Sequence, residues 1–252
     1  MPVRKKKRDK KEAKSTKIIV GQAVYSEDAE GYNRLKDNIL YIKPEDKSIA
    51  IQIESSLAHE GKTTVACNLA VSLGYTDKKV ILVDLDFRRP RAHRLFGLSK
   101  DIGIAEYMRG EADRQTIIKK TEYKNVDLMT RGAEIYNPSL VYVSDKFKEL
   151  MESLKKEYDY IIYDCSPILQ ASDFIHVSKV SDGTLFLVAY GQTTKAEVRD
   201  AMSELRKNDV KVLGTVFTMY DKNKQKESGY YKRKYYSYSY FKNEEDEAED
   251  IK

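Results

Sequence analysis

Ser48-Ile49-Ala50-Ile51-Gln52-Ile53-Glu54-Ser55-Ser56-Leu57-Ala58-His59-Glu60-Gly61-Lys62-Thr63-Thr64 (SIAIQIESSLAHEGKTT) decides how the rest of the chain is read. Residues 48–53 carry three isoleucines at alternate positions and predict a strand. Gly61-Lys62-Thr63 closes a phosphate-binding loop of the form G-x-x-x-x-G-K-[ST], with Ser56 where the first glycine would stand. Residues 62–75 predict a helix directly after it. A strand, this loop and a helix in sequence place backbone N–H groups and a helix N-terminus against phosphates. Lys62 then supplies a point charge to the β- and γ-phosphates, and Thr63 a hydroxyl to Mg²⁺. Glu60 and Thr64 flank these two residues and complete the expected nucleotide-binding set with Ser56, Gly61, Lys62 and Thr63.

Outward from this stretch, short apolar runs alternate with helical patterns. Residues 79–84, 126–130, 160–164, 183–189 and 212–217 predict strands. Residues 27–42, 145–158 and 194–208 predict helices, the first from the apolar spacing of Tyr32, Leu35, Ile39 and Ile42. This alternation predicts an α/β fold, a P-loop NTPase-type parallel β-sheet sandwiched between helices. In such sheets ligands bind at the carboxyl ends of the strands, and acids stand there. Asp84 and Asp86 end one strand on a shared face, and Asp164 ends another. Close carboxylates repel unless a cation holds them, and Mg²⁺ on Thr63, Asp84, Asp86 and Asp164 fits. Arg88, two residues beyond Asp86, is a candidate phosphate contact. Asp84 or Asp86 is placed to accept a proton from an acceptor hydroxyl.

Composition sets bounds on what else the chain can be. At 252 residues it is long enough for one large domain. Charge is polarised: residues 1–17 hold nine Lys/Arg against Asp9 and Glu12, and 243–252 hold six acids and one Lys. Such ends predict solvated, disordered termini. The basic head also suits an anionic surface. Cys67 and Cys165 offer neither a disulfide framework nor metal spacing, which points to a reducing cytoplasm. His59, His93 and His176 are scattered, which argues against zinc. No apolar run reaches the roughly 18 residues of a membrane span.

The tail poses a separate question. Residues 229–241 (GYYKRKYYSYSYF) place six tyrosines, Tyr230, Tyr231, Tyr235, Tyr236, Tyr238 and Tyr240, around three consecutive cations. Stacking on single-stranded nucleic acid uses such residues, but it leaves Asp84, Asp86 and Asp164 unexplained, so no nucleic-acid partner is expected. The expected organisation is a basic N-terminal segment (1–26), a P-loop domain (27–222) and a tyrosine-rich, acidic tail (223–252).

The P-loop, the run Asp84-Leu85-Asp86-Phe87-Arg88-Arg89-Pro90 and Asp164-Cys165-Ser166-Pro167 resemble the three nucleotide motifs of the bacterial tyrosine kinases. Residues 182–194, Arg131-Gly132 with Asn137-Pro138, and the tyrosine-rich end are similar as well, and the likeness covers roughly 27–240. The chain is most similar to the separate cytoplasmic form of these kinases. That resemblance implies ATP as donor, Mg²⁺ as cofactor and the six tail tyrosines as autophosphorylation acceptors, modified in trans within a homo-oligomeric ring. It also implies a membrane chain-length-determinant protein as activator, a cognate tyrosine phosphatase, and control of capsular or exopolysaccharide synthesis from the inner face of the membrane. Three positions depart from the family pattern. Ala58-His59-Glu60 stands where relatives commonly have Pro-Gly-Glu, so His59 is expected to avoid a strained backbone unless the loop is reshaped. Asn33 and Lys36 replace two arginines of the assembly motif that begins at Glu30. Thr218-Met219-Tyr220 stands where relatives carry an asparagine that contacts adenine. The competing reading is a partition- or division-site-type ATPase switch. That group has a further lysine five residues before the P-loop lysine, where this chain has Leu57.

Overall fold

The computed structural model describes residues 18–21, 26–42 and 47–220. The chain divides into a body that ends at Thr218 and a separate unit from Met219 onward, of which only Met219 and Tyr220 are described. The six tail tyrosines, the basic residues 1–17 and the acidic end therefore lie outside the described residues.

In chain order the elements are α1 (Glu27–Ile42), β1 (Ile49–Ser55), α2 (Lys62–Gly74), β2 (Val80–Asp84), α3 (Ala92–Leu95), α4 (Ile104–Arg109), α5 (Arg114–Ile117) and β3 (Ile118–Lys120). They continue with β4 (Val126–Met129), α6 (Pro138–Val143), α7 (Asp145–Leu154), β5 (Tyr160–Asp164), α8 (Asp173–Val177), β6 (Gly183–Ala189), α9 (Lys195–Lys207) and β7 (Val212–Thr218). The strands form one seven-stranded sheet in the order β3-β4-β2-β5-β1-β6-β7. All neighbours are parallel except the short β3, which runs antiparallel to β4. The parallel sheet expected from the sequence is present, and its six parallel strands lie within two residues of the expected bounds, while the antiparallel β3 had no sequence counterpart.

β1, β2 and β5 are buried along their whole length, which is why they read as near-continuous apolar runs. Alternation sends Ile49, Ile51, Ile53, Val80, Leu82 and Ile162 to one face, where α2 packs. Ala50, Ile81, Val83, Ile161 and Tyr163 go to the other face, under Phe147, Leu150 and Leu154 of α7. α2 is buried from Val65 through Gly74, so it has apolar residues all round instead of on one stripe. The N-terminal Ile18 and Val20 belong to the α2 side of the core. They are fixed by Asn68 of α2, whose Oδ1 accepts from the backbone N–H of Ile19 (2.7 Å) and Val20 (3.2 Å). Its Nδ2 donates to the Thr64 carbonyl at 2.9 Å.

The helices α3, α4, α5, α6 and α8 are four to six residues long and had no sequence counterpart. They are too short to show a helical period. β1 lies inside the sheet, with β5, β2, β4 and β3 on one side and β6 and β7 on the other. The strand order therefore reverses beside β1, and its carboxyl end opens on the crevice where such sheets bind ligands.

Candidate nucleotide site

The loop from Ser55 to Gly61 turns β1 into α2. Gly61 caps α2 at φ 94°, a left-handed backbone that suits glycine. No side chain caps this helix, so its first-turn N–H groups stay open to an anion. His59 stands at φ 67°. The expectation that it avoids strain is not met: it holds the left-handed conformation of the glycine it replaces, at a cost of about 1 kcal/mol.

The carboxylate of Glu60 braces this loop. One oxygen accepts from the Leu57 N–H at 3.0 Å and the other from the Thr193 hydroxyl. The Glu60 carbonyl accepts from the Thr218 hydroxyl at 2.7 Å. Glu60 and Thr218, both tied to nucleotide contact by sequence, thus have their side chains committed to loop geometry. The Ser56 hydroxyl donates to the Glu197 carbonyl at 3.3 Å. Lys62 is buried, and its Nζ donates to Ser55 Oγ at 3.1 Å, folded back along the loop.

Across the crevice, Asp84 and Asp164 are register partners at the ends of β2 and β5, and both are buried. Asp84 Oδ2 accepts from the N–H groups of Arg91 and Ala92, each at 3.1 Å, while its Oδ1 has no partner. Neither Asp164 oxygen accepts a hydrogen bond of ordinary geometry. Burial raises both acids. Asp164 is pushed up to about 7 against the pull of the nearby Thr63 hydroxyl and the Lys62 ammonium. Asp84 is raised by burial first and by the Asp164 charge second. Asp86 is half-buried, and its Oδ1 accepts from the Arg89 N–H (3.0 Å) and the Ser166 hydroxyl (3.2 Å). The structure thus brings Lys62, Thr63, Asp84, Asp86 and Asp164 to one end of the sheet.

Buried carboxyl oxygens without partners are costly, and the three on Asp84 and Asp164 invite a ligand. Among the described residues no three His, Cys, Asp or Glu side chains form a closed metal cage. Mg²⁺ does not need one: it takes one or two carboxylates together with phosphate oxygens and water. Asp84 Oδ1 and the Asp164 oxygens beside the Thr63 hydroxyl fit that donor set.

Two acids of the site escaped the sequence reading. Glu54, next to the end of β1, is fully buried with both oxygens unpartnered. Burial raises it well above the usual carboxyl range despite the nearby Lys62 charge. A glutamate inside an otherwise apolar strand was a visible signal. Asp173, at the start of α8, is buried and pairs with Arg88. Arg88, expected at a phosphate, therefore already has a partner, and nothing in the local sequence around Asp173 announced it.

The AAA domain model matches residues 49–190, more than half of the chain. The tyrosine-protein kinase YwqD of Bacillus subtilis is 30% identical over 203 residues, 81% of this chain and 86% of that protein. The chain belongs to the bacterial tyrosine-protein kinase family. Its class, a protein-tyrosine kinase, follows from that membership. The chimerical protein CapA2B2 matches with a TM-score of 0.76 at 28% identity, over 79% of this chain and 88% of that one. The kinase domain of Escherichia coli ETK also gives 0.76, at 27% identity over 80% and 79% of the two chains. Against full-length Etk the chain spans only 26% of the relative. The septum site-determining protein MinD of Pyrococcus horikoshii, solved with Mg-ADP, shares the P-loop architecture at a lower TM-score of 0.57, 25% identity, over 68% and 70% of the chains. Among the described residues no helix is long and apolar enough to cross a membrane.

Proposed function

We propose that this kinase transfers the γ-phosphoryl group of ATP to its own tail tyrosines, Tyr230, Tyr231, Tyr235, Tyr236, Tyr238 and Tyr240, in trans between copies. The observation that carries the reading is the set of unpartnered buried oxygens on Asp84 and Asp164, opposite Lys62 and Thr63. Thr63, Asp84 and Asp164 would hold Mg²⁺, which would supply charge neutralisation to the phosphates.

Each residue then has a task. The first-turn N–H groups of α2 and Lys62 bind the phosphates, and Lys62 leaves Ser55 Oγ to do so. Asp86 is the base: it is half-open, whereas Asp84 is buried and tied to two backbone N–H groups. The tyrosine oxygen bonds to the γ-phosphorus while the bond from that phosphorus to the β,γ-bridging oxygen breaks. ADP leaves with the bond's electrons, and the phenolic proton passes to Asp86. A phenol of pKa near 10 profits from such a base. Arg88 offers donors to the transferred group.

Each phosphate adds about −1.5 to −2 charges, so several would reverse the sign of the Tyr/Lys cluster. We infer from this that phosphorylation dissolves a homo-oligomeric ring. A membrane chain-length-determinant protein is the proposed activator and a tyrosine phosphatase the proposed antagonist. The kinase then acts at the inner face of the membrane to regulate capsular or exopolysaccharide synthesis and export. Intact-mass spectrometry after incubation with ATP and Mg²⁺, with and without the activator's cytoplasmic segment, tests the reading. Several added phosphates that map to residues 230–240 support it. ATP turnover with an unmodified tail favours an ATPase switch.

A further inference from the structure

The loop after β2 is fastened to the segment after β5 at two points. Ser166 donates to Asp86 at 3.2 Å, and Asp173 pairs with Arg88. The first bond touches the proposed base. The second pair has an uneven shape. The Asp173 side chain is 2% exposed and that of Arg88 46%. Asp173 is set in the core by its neighbours on α8, Phe174 and Val177, which are both buried. Arg88, by contrast, lies on a loop and reaches inward from solvent.

Only one guanidinium nitrogen, Nη1, meets Asp173 Oδ2, and among the described residues Arg88 makes no other hydrogen bond. A guanidinium carries five N–H donors in a rigid fork. The side chain stays half-exposed on the loop that carries Asp86. Arginine forks of this kind match phosphoryl oxygens well. A free arginine on a loop would first lose its rotamer freedom before it served a transition state. A buried carboxylate that already holds it removes that step. An arginine kept only to neutralise Asp173 has no need to stay half in solvent.

We propose that Asp173 is a positioning residue that presets Arg88 for the phosphoryl group in flight. This rests on the reading of the site as a phosphoryl-transfer centre and names a residue that reading did not use.

A double-mutant cycle on the full chain tests it. Asp173→Asn, Arg88→Ala and their combination are given γ-labelled ATP and Mg²⁺. Phosphate on protein tyrosine and phosphate released to water are counted separately, beside ADP affinity and thermal unfolding. Each single variant is expected to slow γ-phosphate transfer by about 10- to 100-fold, with ADP affinity unchanged. The double variant is expected to be no slower than Arg88→Ala. Arg88→Lys, which keeps the ion pair but loses the fork, is expected to restore the melting temperature and not the rate. Three results overturn the inference: Asp173→Asn at the wild-type rate, a double variant slowed by the product of the single effects, or Arg88→Lys restoring the rate. Release to water with no tyrosine product would sink the tyrosine-transfer reading alone, because the cycle is then read on hydrolysis.

Discussion

The two ends of the sheet treat buried acid in opposite ways. At the amino ends of the strands, Asp127 of β4 is buried, yet it accepts from Lys120 Nζ at 2.8 Å and from the Tyr158 hydroxyl at 2.7 Å. Around it lies a cleft of about 620 Å³, lined by Lys79, Lys124 and Lys156 among others, and Lys124 is itself paired with Asp77. At the carboxyl ends, Asp164 is buried with no hydrogen bond of ordinary geometry on either oxygen, and Asp84 and Glu54 keep unpartnered oxygens. A cleft thus lies at the end whose buried carboxylate is satisfied. The presence of a cleft alone would choose the wrong end. Unsatisfied buried charge chooses the end that completes itself with a cation and phosphates.

The sharpest way to break this comparison is to remove the P-loop cation of the unsatisfied end. Lys62→Met is expected to lower phosphoryl transfer by about 10²- to 10³-fold, read as phosphates gained per hour by intact mass. Next, matched asparagines set the two ends against each other. Asp164→Asn should abolish the Mg²⁺ dependence of nucleotide binding while stabilising the ligand-free protein by about 1 kcal/mol, because it removes a deeply buried charge that Lys62 and Thr63 offset only in part. Asp127→Asn should destabilise by about 1 kcal/mol, since exposed Lys120 adds little beyond the lost hydrogen bond, and should leave ADP affinity unchanged. Thermal unfolding and ADP titration of both variants decide. Equal behaviour of the two asparagines would erase the distinction.

Glu54 sharpens it through pH. Its folded pKa is raised above the roughly 4.3 of an unfolded glutamate. Its contribution to stability is therefore fully present below that value and is lost as pH rises toward the folded pKa. Glu54→Gln cannot ionise, so its melting temperature should fall less than the wild type's between pH 5 and pH 8. An unchanged pH profile would place the ionisation elsewhere. The smallest effect belongs to His59→Gly, which relieves the left-handed backbone at φ 67° and should gain about 0.5 kcal/mol after the added chain entropy of glycine is subtracted.

Much of this was legible in the sequence, for physical reasons. Central strands buried on both faces are dominated by aliphatic residues, so β1, β2 and β5 announced themselves, and an acid that ends such a run had to sit at the sheet's carboxyl end. Lys62 and Thr63 followed from the loop pattern. What stayed hidden depends on distant partners. Glu60 looked like a nucleotide ligand, but Thr193 and Thr218, 133 and 158 positions away, claim its carboxylate and carbonyl. Arg88 looked unattached because Asp173 lies 85 positions on, in a helix too short to show a period. The tail tyrosines were plain as a pattern, yet they lie outside the described residues and stand on the proposal alone.

The most direct test of the central claim is calorimetric titration of the full chain with ADP, with and without Mg²⁺, for the wild type and Asp164→Asn. If the orphaned carboxylates are a cation site, Mg²⁺ strengthens ADP binding to the wild type by about tenfold or more and leaves the asparagine variant unmoved. Equal ADP affinity in the two proteins, with Mg²⁺ or without it, would contradict the account.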